Sequence, residues 1–178
     1  MAQNKTDARF LAFVSMTIAW ETGGRKDGGY TNDPRDTGGE TKWGISKRAH
    51  PSLNIKALTF NDAVRIYKDE YWNDNYTSIN SNRIAFKLFD MGVLSGTKKA
   101  KRTLQTAVKD CGITIKVDGI IGPVTIAAIN SIDEETLYRV YIDRLESHFR
   151  WITILRPKNK AYLKGWLRRL NYNWSVKE

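Results

Sequence analysis

The sequence predicts a mainly α protein with a small β-hairpin, and three observations lead to that prediction. With 178 residues, 41% of them hydrophobic and 27% charged, the chain has the length and composition of a globular protein with its own core. Apolar residues recur three or four positions apart along much of the chain, which places them on one face of a helix. Between Gly38 and Ser46 polar and apolar residues alternate, as they do in a hairpin or an extended segment.

The first helix is predicted at residues 7–21. Asp7 lies in its first turn, and its apolar face is formed by Phe10, Phe13, Val14 and Ile18. Gly23 and Gly24 end this helix, because glycine readily adopts the left-handed conformation that follows a helix. A turn-rich loop follows as far as Pro34.

The rest of the chain is predicted to be helical, with starts and stops set by capping residues and prolines. Thr59 with Asp62 resembles a capping box, and Pro157 stops the longest helix. Helices are predicted from Thr59 toward Trp72, over residues 82–94, from Ala100 to Cys111, from Pro123 through Ile129, from Asp133 to about Leu155, and around Tyr162–Leu170.

A change in charge balance predicts two regions, residues 1–95 and 96–178, with the boundary at Ser95-Gly96. The first region carries 13 basic and 11 acidic side chains, and the second carries 16 and 8. A basic surface on the second region attracts polyanions, whether nucleic acid, anionic lipid or the anionic polymers of a bacterial envelope. We expect the two regions to dock as one compact unit.

Several classes of site and location are not expected from the composition. Cys111 is the single cysteine of the sequence, so it cannot form an internal disulfide. The sequence has only two histidines, His50 and His148, so no Cys/His metal cluster can be built. We therefore expect no metal and no cofactor. The N-terminus lacks the pattern of a signal peptide, and the apolar run Phe10–Trp20 is too short to span a membrane, so a soluble cytoplasmic monomer is expected. No zinc, homeodomain or RNA-binding motif is present, so no nucleic-acid partner is expected.

Glu21 has the most distinctive position among the carboxylates of the stretch WETGGRKDGGYTNDPRDTGGETKWGI, residues 20–45. It follows Phe10 by eleven positions, which puts it about 20° from Phe10 on the helical wheel, on the apolar face. Low hydration and the negative end of the helix dipole both favour the protonated form, as a general acid requires. The alternative is a solvated last turn, or pairing with Arg25 or Lys26.

The loop after this helix offers further carboxylates. Asp27 stands between Lys26 and two glycines, which is typical of a solvated turn, and Asp33 before a proline suits an Asx turn. Asp36 precedes the glycine turn that leads to Thr41. If that turn folds back over the helix, Asp36 and Thr41 face Glu21 across a groove. Two carboxylates that flank a groove, one protonated and one ionised, are the groups that cleave a glycosidic bond.

The run WE…GGYTNDPRDTGGETKWGIS resembles the signature of the family 108 glycoside hydrolases, which are N-acetylmuramidases of the lysozyme-like superfamily found as phage endolysins and in related bacterial proteins. The resemblance continues in YKDEYW at 67–72 and in FDMGVLSG at 89–96. The segment LQTAVKDCGITIKVDGIIGPVTIAAI at 104–129 resembles the predicted peptidoglycan-binding segment that follows this catalytic region. A lysozyme-like α+β fold is implied.

The resemblance also implies roles for individual residues. Glu21 matches the proton donor to the glycosidic oxygen, while Asp36 and Thr41 match residues that stabilise positive charge and orient the attacking water, which implies inversion. The aromatic residues near the groove are expected to stack on substrate sugars: Tyr30, Trp43 and Trp72. Packing in the core is the alternative for these three.

The sequence departs from the family pattern at two places. Six residues, Thr22 to Asp27, stand between Glu21 and the Gly-Gly-aromatic run that directly follows the family's glutamate, and this makes Asp27 a rival acid. We prefer Glu21, because it lies at the helix end and has the longer side chain. Leu94 stands where family members tend to carry asparagine, which puts a polar role there in doubt.

The function implied is an endolysin that hydrolyses the β-1,4 bond between N-acetylmuramic acid and N-acetylglucosamine in bacterial peptidoglycan. Such an antimicrobial lysozyme accumulates in the host cytoplasm and lyses the host cell by degrading its wall. An origin in a bacteriophage and an origin in a prophage-derived bacterial gene are equally compatible with the sequence. One alternative is a non-catalytic peptidoglycan-binding module. Another is a membrane-active basic protein, in which the apolar face of the last helix meets anionic lipid. We expect that face to pack in the core.

Overall fold

The computed structural model describes residues 2–33 and 38–172, with side chains described from residue 8 onward. The predicted site residue Asp36 lies outside the described residues. Among those that are described, seven α-helices and one two-stranded antiparallel sheet are present, which confirms the mainly α fold with a small hairpin. No described helix has both the length and the apolar composition that a membrane crossing requires.

The chain forms two compact units, Met1–Trp72 and Asn73–Glu178. The first contains helix α1 (Ala2–Thr22), strands β1 (Thr41–Lys42) and β2 (Ile45–Ser46), a 3-10 helix (Ile55–Ala57) and helix α2 (Phe60–Tyr71). The predicted helical face of α1 is buried, at Phe10, Phe13, Val14 and Ile18. At its end the amide of Gly24 donates to the carbonyl of Ala19 at 2.8 Å, and Gly23 has φ +62°, so glycines end α1 as predicted.

Two local motifs of this unit also agree with the prediction. Thr59 and Asp62 form a capping box at the start of α2. In the hairpin, Thr41 pairs with Ser46 and Lys42 pairs with Ile45. Thr31 adds an antiparallel bridge to Thr41, so the loop after α1 is joined to the hairpin by backbone hydrogen bonds.

The second unit consists mainly of five α-helices: α3 (Asn82–Ser95), α4 (Thr97–Asp110), α5 (Pro123–Ser131), α6 (Glu134–Leu155) and α7 (Lys160–Leu170). Helix α4 packs against α3 and α6 through its predicted apolar face, at Ala100, Leu104, Ala107 and Val108. Asp133 caps α6 by accepting from the amide of Thr136. The last helix packs on α6, where Trp166 contacts Phe149 with ring centroids 5.4 Å apart and Leu170 is buried, so this part of its apolar face lies against the protein as expected, whereas Tyr162 is 61% exposed.

The two compact units divide after Trp72, whereas the charge balance of the sequence divides the chain after Ser95. The reason is that α3 packs on α4, so residues 73–95 fold with the helices that follow them. Net charge along the chain carries no information about such packing.

Three charged side chains are buried where α3 meets the end of α7. Arg169 and Asp90 form an ion pair, with Nη2 of Arg169 donating to Oδ1 of Asp90 at 2.8 Å. The Lys87 ammonium donates to the carbonyls of Arg169 at 3.2 Å and Leu170 at 2.8 Å, which lie at the C-terminal end of α7. Helix carbonyls at this end carry partial negative charge and favour a cation.

Burial lowers the pKa of Lys87 from 10.5 to about 8, although the negative charge of Asp90 opposes that shift. Between these two values the unfolded chain holds the proton and the folded protein releases it, so folding becomes more favourable as the pH rises. We therefore compare the free energy of unfolding of the wild type with that of Lys87→Met. We expect the difference, wild type minus variant, to increase between pH 7 and pH 10, by up to about 1.4 kcal/mol per pH unit. Urea unfolding of both proteins at each pH measures this difference, and a flat or falling difference would contradict it.

Candidate active site

Glu21 lies in the last turn of α1, beside the turn that joins β1 to β2. Gly44 in that turn has φ +78°, and a Cβ placed on it would lie 2.9 Å from Cβ of Glu21 and 2.4 Å from the hydroxyl oxygen of Tyr67. Only glycine fits here, because a side chain would be strained and would collide with both neighbours. The stem of Glu21 is thus held against the hairpin turn.

Tyr67 joins this turn to α2. Its buried ring contacts the Tyr71 ring with centroids 5.7 Å apart, and its hydroxyl donates to the carbonyl of Trp43 at 3.2 Å. The pKa of Tyr71 is raised by burial first, then by Glu70, with a further contribution from the negative charge of Glu21. The neighbourhood of Glu21 therefore includes two tyrosines from one face of α2.

Sequence reasoning missed these two tyrosines as site residues. Tyr67 and Tyr71 are four positions apart in the segment YKDEYW, and that spacing places two side chains on the same helix face. The spacing was a usable signal, but which face of α2 meets Glu21 depends on the packing of α2 against α1.

The side chain of Glu21 is exposed, which corrects the expectation of a poorly hydrated position on the apolar face. A helical wheel gives the direction of a side chain but not how far the facing element extends. Here the facing element is a glycine turn, whose backbone lies against Cβ and Cγ of Glu21. The residue is consequently accessible to a large substrate.

Asp27 lies in an exposed turn, as the solvated alternative predicted. Nη2 of Arg25 donates to Oδ2 of Asp27 at 2.8 Å, and the amide of Gly29 donates to its Oδ1 at 3.0 Å. The hydrogen bond from Arg25 comes first among the causes that lower the pKa of Asp27. A lowered pKa keeps the carboxylate ionised at neutral pH, the opposite of what a general acid requires.

Thr41 lies on the same hairpin as Gly44, half-buried in β1. Its backbone amide and carbonyl both bond to Thr31, at 2.9 Å each. The structure thus brings Thr41 and Glu21 into one compact unit, on two elements that contact each other at Gly44. The third predicted member, Asp36, lies outside the residues described.

Trp43 makes internal contacts on several sides. A Cβ on Gly28 would lie 2.4 Å from Cε2 of the indole, so the glycine backbone rests directly on the ring. The indole Nε1 donates to the carbonyl of Leu58 at 3.1 Å, and the Phe60 ring packs edge-on with centroids 5.6 Å apart. Trp43 itself has a left-handed φ of 57°. These contacts hold the loop after α1 on the hairpin.

The other two aromatic residues expected to bind sugars also have protein partners. Trp72 packs on Phe10 and Phe13, with ring centroids 5.1 and 6.2 Å apart, where α2 meets α1. The hydroxyl of Tyr30 donates to Oε1 of Glu40 at 2.7 Å, and this hydrogen bond is the main cause that raises the pKa of Tyr30. Within residues 8–33 and 38–172, no cluster of three or more His, Cys, Asp and Glu side chains is placed to hold a metal ion.

Comparison with known proteins gives this geometry its chemical context. Residues 15–96 match the model of the family described as glycosyl hydrolase 108. This matched segment, residues 15–96, is called the family 108 region. The family 108 region contains the end of α1 with Glu21, the hairpin and α2. Residues 99–171 match a second family, described as predicted peptidoglycan domain.

Among solved structures, SagA of Brucella abortus has a TM-score of 0.69 to this chain at 24% sequence identity, covering 92% of this chain and 90% of that one. This likeness concerns the fold. No curated protein matches the chain. The two family matches identify a glycosidase that degrades peptidoglycan.

Proposed function

We propose that the protein is a muramidase that hydrolyses the β-1,4 bond between N-acetylmuramic acid and N-acetylglucosamine, with Glu21 as the general acid. The observation that carries this proposal is the position of Glu21 in the family 108 region. Its stem is held by the Gly44 turn, and the residue is exposed and thus accessible to a polymeric substrate. Asp27, the rival acid, has a lowered pKa and accepts hydrogen bonds from Arg25 and from the amide of Gly29, which supports the choice of Glu21.

The reaction begins with proton transfer from Glu21 to the glycosidic oxygen as the bond to the anomeric carbon breaks. Positive charge then develops at the anomeric carbon. By resemblance to the family pattern, Asp36 stabilises this charge, and Asp36 and Thr41 orient a water molecule on the opposite face of the sugar. The water oxygen bonds to the anomeric carbon on the face opposite the leaving group, and its proton passes to the Asp36 carboxylate, so the configuration inverts.

A wider biological role is part of the proposal. Residues 96–178 carry 16 basic and 8 acidic side chains, and this excess concentrates the enzyme on anionic envelope polymers. Together with the resemblance to endolysins, this supports an antimicrobial monomer encoded by a bacteriophage or a prophage. It is made in the host cytoplasm, and lysis follows when it reaches the wall.

Mass spectrometry of peptidoglycan digested in ¹⁸O-labelled water tests the proposal. We expect new reducing ends on N-acetylmuramic acid, each with one ¹⁸O atom, because hydrolysis places the water oxygen on the anomeric carbon. Early NMR spectra of the products should show the α anomer first, as inversion of a β bond requires.

Other products would contradict the proposal in recognisable ways. Anhydro-sugar ends without the label would show that a hydroxyl of the substrate replaces water. Reducing ends on N-acetylglucosamine or cut peptide bonds would assign a different bond. Binding to the wall without any cleavage would support the non-catalytic alternative.

A further inference from the structure

A cleft between α4 and α6 lies within the second compact unit, and its lining includes none of the residues assigned to catalysis. Its volume is about 480 Å³. Lys99 and Arg102 line it on α4, and Arg144, His148 and Trp151 line it on α6. The remaining lining residues are uncharged, so the described lining contains three basic side chains and no acidic one.

Two of the cations are available to a ligand. Arg144 is paired with Asp110. In the described part of the chain, neither Lys99 nor Arg102 has a carboxylate within salt-bridge distance, and both are exposed. They are three positions apart on α4, a spacing that places side chains on one helix face. They are therefore positioned to receive an anionic group.

The α6 side of the cleft adds a flat aromatic surface. Trp151 is 54% exposed and stacks on His148, with ring centroids 6.3 Å apart and planes at 28°. Burial, followed by the positive charge of Lys99, lowers the pKa of His148, so its ring is neutral at neutral pH. An exposed tryptophan beside unpaired cations suits a ligand that combines an acid with an apolar face.

We propose that this cleft binds the acidic stem peptide of peptidoglycan, with a peptide carboxylate on Lys99 and Arg102 and the adjoining apolar part of the muropeptide on Trp151. The proposal rests on the proposed function and deepens it, because residues 99–171 match the predicted peptidoglycan domain. In peptide-substituted peptidoglycan the lactyl group of muramic acid is in amide linkage, so the glycan backbone is neutral. The carboxylates are on the stem peptide, and the cations of the cleft therefore select the peptide.

Calorimetric titration of the full chain carrying Glu21→Gln, which we expect to slow cleavage, tests this binding. The ligands are a disaccharide-tetrapeptide muropeptide and the same muropeptide with its carboxylates amidated. We expect amidation to weaken binding by about tenfold or more, because charge-assisted hydrogen bonds are lost. Two further variants are made in this background, Lys99→Ala with Arg102→Ala, and Trp151→Ala. Each should weaken binding of the acidic muropeptide to a similar degree. The Lys99→Ala, Arg102→Ala double variant should leave binding of the amidated muropeptide nearly unchanged.

A matched control carries Lys160→Ala and Lys164→Ala on α7, which removes the same charge from exposed positions outside the cleft. It should retain the wild-type affinity. Equal losses in both double variants would mean attraction by net charge alone and would overturn the proposal. Binding of a teichoic-acid phosphate polymer through Lys99 and Arg102, without binding of the muropeptide, would also overturn it.

The two proposals fail separately. If the product analysis shows muramic acid ends but the cleft variants bind normally, the cleft assignment is wrong and the muramidase stands. If the products contradict a muramidase but Lys99 and Arg102 still determine muropeptide affinity, the cleft assignment stands. Thermal unfolding of each variant verifies that the fold is intact.

Discussion

Replacement of Glu21 by Gln is expected to lower the rate of peptidoglycan hydrolysis by about 10²–10⁴-fold, the usual contribution of a general acid. Glutamine has nearly the same shape, so the contact of the stem with Gly44 is retained while the transferable proton is lost. The side chain is exposed, so we expect the melting temperature to stay close to that of the wild type. The release of soluble muropeptides from purified walls measures the rate.

Asp27→Asn is the matched control, because it makes the same chemical change six residues along the chain. It weakens the turn held by Arg25 and Gly29 but removes no proton that is available at neutral pH, since the pKa of Asp27 is lowered. We expect activity within a few-fold of the wild type. If Asp27→Asn is inactive and Glu21→Gln retains activity, Asp27 and not Glu21 is the general acid.

Arg169→Met is expected to reduce the free energy of unfolding by about 3–5 kcal/mol, because it removes the guanidinium from an ion pair with a buried carboxylate. The Asp90 side chain is fully buried, and Arg169 approaches it through both Nε and Nη2, at 3.1 and 2.8 Å. Urea unfolding at pH 7 measures the loss.

The double variant Asp90→Leu with Arg169→Met shows where the loss comes from. Removing both members of the ion pair leaves no buried carboxylate that has lost its guanidinium, so we expect the double variant to recover most of the stability. A double variant no more stable than Arg169→Met would mean that lost packing of the arginine stem, and not the buried charge, causes the effect.

The site was predictable in part. The position of Glu21 at the end of α1 followed from helix periodicity and from Gly23 and Gly24, all of which act within a few residues. Its exposure did not follow, because exposure depends on Gly44, which is distant in sequence and carries no side chain. The same limit applies to Trp43 and Trp72, whose ring partners come from other segments of the first unit.

Local sequence signals were sufficient to predict where several helices begin, because caps and prolines act through hydrogen bonds and dihedral angles of neighbouring residues, as at Thr59, Pro123 and Asp133. They also placed Glu21 at the end of α1. Tertiary packing was needed to show that α3 folds with the second unit, that Tyr67 and Tyr71 lie near Glu21, and that Lys99 and Trp151 share a cleft. These are contacts between distant residues, and periodicity gives the direction of a side chain without naming the partner it meets.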